Sequence, residues 1–218
     1  PATHEPLVHT TLSCLFRRGW TAYDIGAYIG YYTLLLSSLC GPEGRVYAFE
    51  PHPKNFRLLE ENIDSNRLSN VRPRQIAIFS RSGSGYLAGI SNPAESRLEE
   101  RPFSDSAEKE SGRVEPVELI TMDEFVFSGE DRRPDLIKID VEGSELRVLS
   151  GMKRTLTEYA PIVICEIHSR KLESGIRDFF SSGDYDVRRL EASAPKIFQP
   201  VEETPGHLIA AAPQKRVI

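Results

Sequence analysis

The sequence predicts an open α/β fold, a mostly parallel sheet covered by helices, and three observations carry that reading. Short apolar runs rich in β-branched and aromatic residues alternate with stretches of helical periodicity. Several of these runs break abruptly at glycine-containing turns. Four acids, Asp24, Glu50, Asp140 and Glu166, stand at or beside the carboxyl ends of such runs, the rim where open α/β sheets hold their ligands. A length of 218 residues, 39% hydrophobic and 27% charged, suits one domain spanning 1–218. At that size roughly 70% of the unfolded surface can be buried, so no disulfide or metal staple is required.

Thr21–Ile25 reads as the first strand, and Tyr31–Leu39 as a helix that Gly41-Pro42 stops. Arg45–Phe49 is a second strand. Pro53 suits the first turn of a helix in which Phe56, Leu58, Leu59 and Ile63 keep helical spacing to about Asn66. Val71–Phe79 is read as one bent third strand. From Ser80 to Pro116 the periodicity fades, and Asn92–Glu115 is rich in Glu, Arg, Ser and Pro. The region 80–118 is therefore expected to be a variable or mobile insert, with 92–115 either a solvated loop or a lid over a substrate. Val117–Ile120 is an added strand, and Thr121 can cap a short helix through Val126. Leu136–Asp140 is apolar apart from Lys138 and the terminal acid, and Lys138 is assigned to a sheet edge or helix contact. Gly143 is expected to open a helix carrying Leu146, Leu149 and Met152. Pro161–Cys165 is a buried strand, Lys171–Ser181 a helix, Tyr185–Leu190 a strand and His207–Ala211 the last strand.

The net charge of −5 lacks the basic excess of a diffuse nucleic-acid or membrane-surface binder. No apolar run approaches the ~18 residues of a bilayer span, and no signal peptide is visible. The chain starts at Pro1 without an initiator Met, as expected if upstream residues have been trimmed. Cys14, Cys40 and Cys165 form no CxxC pair, which argues against a disulfide framework or zinc site and for a reducing, cytoplasmic setting. They are read as core residues, and the oligomeric state is left open.

The acids carry the functional reading. In Asp24-Ile25-Gly26-Ala27-Tyr28-Ile29-Gly30, the two glycines permit a sharp turn and a close approach to a ligand. The second glycine of a GxGxxG pattern is replaced by Tyr28, which disfavours a dinucleotide pyrophosphate. An acid before the first glycine suits a ligand bearing a cationic amine and sulfonium. Glu50 lies 20 residues after Gly30, where an acid accepts hydrogen bonds from both ribose hydroxyls of an adenosine. The bland alternatives are a structural turn for the glycines and a solvated acid for Glu50. His52 beside it is read as exposed, and Tyr31 and Tyr32 as helix packing.

Four segments together resemble the FkbM-type family of S-adenosylmethionine-dependent methyltransferases: DIGAYIGYYTLLL (24–36), VYAFEPHPKNFRLLEENI (46–63), IKIDVEGSELRVLSGM (137–152) and CEIH (165–168). The resemblance runs from about Gly19 to Ala211. It implies a Rossmann-like class I methyltransferase fold: a mostly parallel seven-stranded sheet with helices on both faces and an antiparallel last strand. It further implies that Asp24, Gly26, Ala27, Tyr28 and Gly30 form the loop on the methionine side of S-adenosyl-L-methionine. Glu50 would hold the ribose and Ala77 would line the adenine, with Pro51 and Asp140 also counted among the cofactor-binding candidates. At Tyr28 the chain departs from the family, where Asn is usual.

Methyl transfer to a hydroxyl needs close alignment and a destination for the proton. Asp140, Glu142, Glu166 and His168 come from two strand ends expected to be neighbours, and are the catalytic candidates. His168 leads as general base because an unperturbed imidazole titrates near pH 6.5; the bland reading is a surface His before a helix. Asp140 and Glu142 are read as orienting the amine or the acceptor. A divalent metal at Asp140, Glu142, Glu166 and His168 is chemically possible but not expected, for want of a tight ligand motif. The expected acceptor is a small hydroxylated molecule, a sugar residue or secondary metabolite, in line with the resemblance. A nicotinamide-dependent oxidoreductase and a non-catalytic nucleotide-binding module are the competing readings.

Overall fold

The computed structural model describes residues 5–88, 97–99, 114–129, 133–181, 183–190 and 206–212. In chain order the first elements are α1 (Pro6–Leu15), β1 (Thr21–Ile25), α2 (Tyr31–Cys40), β2 (Arg45–Phe49), α3 (Pro53–Ser65) and β3 (Val71–Arg74). Next come β4 (Ala77–Ile78), β5 (Gly83–Ala88), β6 (Arg97–Glu99), β7 (Val114–Ile120) and α4 (Met122–Phe127). The chain continues with β8 (Leu136–Ile139), α5 (Glu145–Ser150), α6 (Lys153–Tyr159) and β9 (Ile162–Ile167). It closes with α7 (Arg170–Ser181), β10 (Asp186–Arg189) and β11 (Gly206–Ala211).

The main sheet has seven strands in the order β3-β2-β1-β8-β9-β11-β10. All pairs are parallel except the two made by β11, which runs antiparallel to β9 and β10. The strand order reverses between β1 and β8, so the carboxyl ends of these neighbours flank a crevice, as open α/β sheets require. Alternate residues of each strand feed two separate cores. Tyr23, Ile25, Ile137, Ile139 and Val163 pack with α4 to α7, whereas Ala22, Val46, Leu136 and Ile164 pack with α1 to α3. Coverage of both faces is the physical reason these strands read as nearly unbroken apolar runs. Among the described residues, no helix is long and apolar enough to cross a membrane.

Local signals account for the helix starts. Pro53 opens α3, and the His52 side chain caps it by accepting a hydrogen bond from Lys54 N at 3.2 Å. Thr121 Oγ1 accepts from Glu124 N at 3.0 Å to cap α4, as its position predicts.

Several expectations are corrected. The third strand does not run from Val71 to Phe79: β3 ends at Arg74, and Ala77–Ile78 joins a second sheet of order β4-β7-β5-β6. β3 is an edge strand, which is why it tolerates Pro73. Part of the 80–118 region is therefore this second sheet, whose own small core is Ala77, Phe79, Leu87, Val117 and Leu119. Most of the 92–115 segment assigned as loop or lid lies outside the described residues. The helix after β8 starts at Glu145, because Glu142 and Gly143 both take left-handed backbone angles (φ 50° and 95°) and delay it. His52 is buried, not exposed, since its ring is the α3 cap. Cys40 and Cys165 are buried as expected, but Cys14 is exposed on α1.

Candidate active site

The β1–α2 loop is tied to the neighbouring strands. Gly26 N and Ala27 N both donate to Phe49 O at 3.0 Å, and Gly30 N donates to Ala27 O at 2.8 Å. Gly26 has φ 80°, and a Cβ there would lie 1.7 Å from Asp140 O. A Cβ on Gly30 would lie 2.7 Å from Leu59 Cδ1. Packing against Asp140 and α3 by itself demands glycine at both positions. Tyr28 also takes the left-handed region (φ 51°) with its side chain 43% exposed. That region suits Asn better than Tyr, because a short amide side chain fits the local backbone. Tyr28→Asn should therefore stabilise the chain by about 1 kcal/mol, seen as a higher urea midpoint at unchanged slope. A lower midpoint would show that the Tyr28 ring makes compensating contacts.

Glu50, just past β2, is buried and anchored. Its Oε2 accepts from Tyr28 N at 2.9 Å, and its Oε1 accepts from His52 N at 2.9 Å and Asn55 Nδ2 at 3.3 Å. Burial pushes its carboxyl up to about 7, although these donors and the backbone around it favour the charged form.

A second group forms where β8 and β9 end. Lys138 is only 2% exposed, and its Nζ lies 3.0 Å from Asp140 Oδ2, 3.8 Å from Asp24 Oδ1 and 4.5 Å from the centre of the Tyr32 ring. It is therefore a central counter-ion, not a sheet-edge residue: β8 sits mid-sheet, and Lys138 is the register partner of Asp24. Asp24 itself is fully buried beneath the loop, where it accepts from Thr33 Oγ1 at 2.6 Å. Burial raises its carboxyl above the ordinary range. For Asp140, burial pushes upward but the Lys138 ammonium wins with help from nearby donors, and the group is held at about 2. Burial and the adjoining Asp140 push the Glu166 carboxyl up to about 8. His168 Nε2 lies 3.3 Å from Glu145 Oε1 and 4.0 Å from Asp140 Oδ1. The Glu145 carboxylate raises its imidazole to about 9 against the effect of burial. This favours the charged ring, so a role as proton acceptor would fall to its deprotonated form.

These elements surround a cavity of about 380 Å³, within the ordinary size range of small-molecule sites. Of the sequence-derived candidates, Gly26, Tyr28, Glu50, Pro51, Ala77, Asp140, Glu142 and Glu166 line it. Asp24, Ala27, Gly30 and His168 are not among the lining residues. Its apolar side comes from Phe49, Ile76, Phe79 and three residues of the second sheet, Ile78, Leu87 and Leu98. Among the described lining residues five are acids and none is a lysine or arginine. The donor set fits a cationic ligand with an adenosyl portion: acids for a sulfonium and an ammonium, Glu50 for the ribose, apolar surface for the base.

Sequence reasoning missed Asn55, Glu5 and Glu145. Asn55 and Glu145 lie inside the quoted segments, one turn or so beyond residues already singled out. Glu5 precedes α1, lines the cavity and accepts a short hydrogen bond from the Tyr32 hydroxyl; no periodic signal marked it.

Residues 24–187 match the model of the methyltransferase FkbM domain. The hexuronic acid methyltransferase AglP of Haloferax volcanii is 32% identical over 147 residues, 67% of this chain and 55% of that protein. The chain thus spans about half the length of this relative. The methyltransferase sdnD of Sordaria araneosa is 30% identical over 204 residues, covering 80% of this chain and 77% of that protein. The solved methyltransferase FkbM of Methylobacillus flagellatus superposes with a TM-score of 0.61 at 18% identity, covering 88% of this chain and 43% of that one. This last likeness is one of fold.

Proposed function

The chain belongs to the FkbM family of methyltransferases, and on that premise we propose that it methylates a hydroxyl oxygen of a sugar residue or other small metabolite, using S-adenosyl-L-methionine. The observation that carries this reading is the cavity itself, five acids facing an apolar wall at the point where the strand order reverses. S-adenosyl-L-methionine, when bound, supplies an electrophilic methyl group on a sulfonium.

The chain's own residues divide the remaining work. Glu50 receives the ribose hydroxyls on a carboxylate whose orientation Tyr28 N and His52 N fix. Phe49, Ile76, Ala77 and Phe79 exclude water from the base. Asp140 and Glu142 orient the ammonium and the acceptor. The acceptor's proton leaves toward the Asp140, Glu142 and Glu166 group, or toward His168 beside Asp140. His168 acts by charge, holding the Glu145 side of the cluster in place.

The test is incubation with S-adenosyl-L-methionine and a panel of neutral sugars, hexuronic acids and phenols, with products read by mass spectrometry. The expected result is a product one methyl heavier from at least one sugar or metabolite. Tight binding of S-adenosylhomocysteine without turnover on any acceptor would favour a non-catalytic module instead, and binding of NAD in its place would favour the oxidoreductase.

A further inference from the structure

We infer that the chain carries a divalent metal site, of a kind suited to Mn²⁺, between Asp140, Glu166 and His168, with Glu145 completing it. The four residues come from one small region: Asp140 follows β8, Glu145 opens α5, Glu166 lies in β9 and His168 follows it. Ligand atoms of Asp140, Glu166 and His168 lie within 4.8 Å of one another. Around His168 Nε2, Glu145 Oε1 is 3.3 Å away and Asp140 Oδ1 4.0 Å away. An ion with bonds of ~2.1 Å sets adjacent ligand atoms ~3 Å apart and opposite ones ~4.2 Å apart, so little movement is needed to close this set on a metal.

A second observation points to a cation. Glu145 is fully buried, and its Oε2 has no hydrogen-bond partner. The His168 Nε2 is likewise shut off from solvent without a hydrogen bond. Polar atoms buried in this way are uncommon, and a carboxylate oxygen with no donor has lost its hydration without replacement. The two residues are in direct contact, and a cation bound between them would take the place of the His168 Nε2 proton and reach the free Glu145 oxygen.

The donor chemistry narrows the ion. Three carboxylates and one imidazole are hard oxygen and borderline nitrogen donors, favouring Mn²⁺ or a similar octahedral ion over one that demands thiolates. Glu142, which the sequence places among the possible ligands, lines the cavity but is not in this group. Asp140 and Glu166 do line it, so the ligand set adjoins the cavity.

Chelator-treated protein titrated with MnCl₂, followed by electron paramagnetic resonance, tests the site without methyl donor or acceptor, so its outcome is separate from that of the transferase assay. One Mn²⁺ per chain is expected, with affinity falling about tenfold or more in His168→Ala and in Glu145→Gln. His168 is partly exposed, so His168→Ala carries the test if Glu145→Gln fails to fold. Glu166 also faces Glu5 and His207 on its other side, a second cluster of possible ligands. His207→Ala should keep wild-type affinity. Absence of saturable one-to-one binding, unchanged affinity in His168→Ala, or loss in His207→Ala instead would each overturn the assignment.

Discussion

Lys138→Met should lower the free energy of unfolding by about 3–5 kcal/mol, read from urea denaturation followed by far-ultraviolet circular dichroism. The reason is local. Lys138 supplies the ammonium between Asp140 Oδ2 at 3.0 Å and Asp24 Oδ1 at 3.8 Å, in the middle strand of the sheet and under the Tyr32 ring. Methionine has a similar volume, so packing is nearly kept and the change isolates the charge. Without the ammonium, a fully buried Asp24 and a mostly buried Asp140 face each other in a medium that solvates neither. Removing one partner of a buried ion pair is far more damaging than never having had the pair. The double substitution Lys138→Met with Asp24→Asn should therefore recover a large part of the loss, giving a coupling of more than about 1 kcal/mol. A loss below about 1 kcal/mol for Lys138→Met alone, or strict additivity in the double variant, would mean that water reaches this cluster.

That lysine also marks where a single sequence stops being informative. The main sheet was legible because its central strands are covered on both faces and so read as continuous apolar runs with acids at their ends. Asp24, Glu50, Asp140 and Glu166 stood out on that ground alone. Lys138, an isolated charge in such a run, acquires meaning only when Asp24 is known to be its partner across the β1–β8 ladder, a pairing between residues 114 apart. The second sheet was hidden for a different reason. β5 contains Gly83 and Gly85 and buries only Gly85 and Leu87, so it has almost no apolar alternation to detect. The false continuation of β3 arose because Ile76, Ile78 and Phe79 extend its apolar character across the point where the chain leaves one sheet for another. Glu145 resembles any acid in the first turn of a helix, where the dipole favours it; only its burial beside His168 separates it from a solvated one.

Glu50→Ala is expected to weaken S-adenosylhomocysteine binding about 100-fold by calorimetry, because hydrogen bonds to a charged group contribute about 1.5–3 kcal/mol each and two ribose hydroxyls are within its remit. The substitution also strands Tyr28 N, His52 N and Asn55 Nδ2, which now converge on one carboxylate, so part of its effect is on the loop. Glu50→Gln separates the two, since it keeps an acceptor oxygen and removes only the charge. The pH dependence makes a sharper test. Burial raises this carboxyl from 4.5 to about 7, with Asp24 the neighbouring acid that pushes in the same direction. The protonated group can no longer accept from both hydroxyls, so affinity should follow the ionised fraction and rise roughly tenfold from pH 6 to pH 8. Stability runs the other way: a carboxyl whose folded pKa is raised contributes stability that is full below about 4.5 and lost as pH climbs through 7. Binding that strengthens with pH while the unliganded fold weakens over the same interval is a signature that a surface acid would not give. In Glu50→Gln both slopes should flatten. If the affinity of the wild-type protein were constant from pH 6 to pH 8, or if Glu50→Gln kept the wild-type profile, the ribose would not be resting on this side chain.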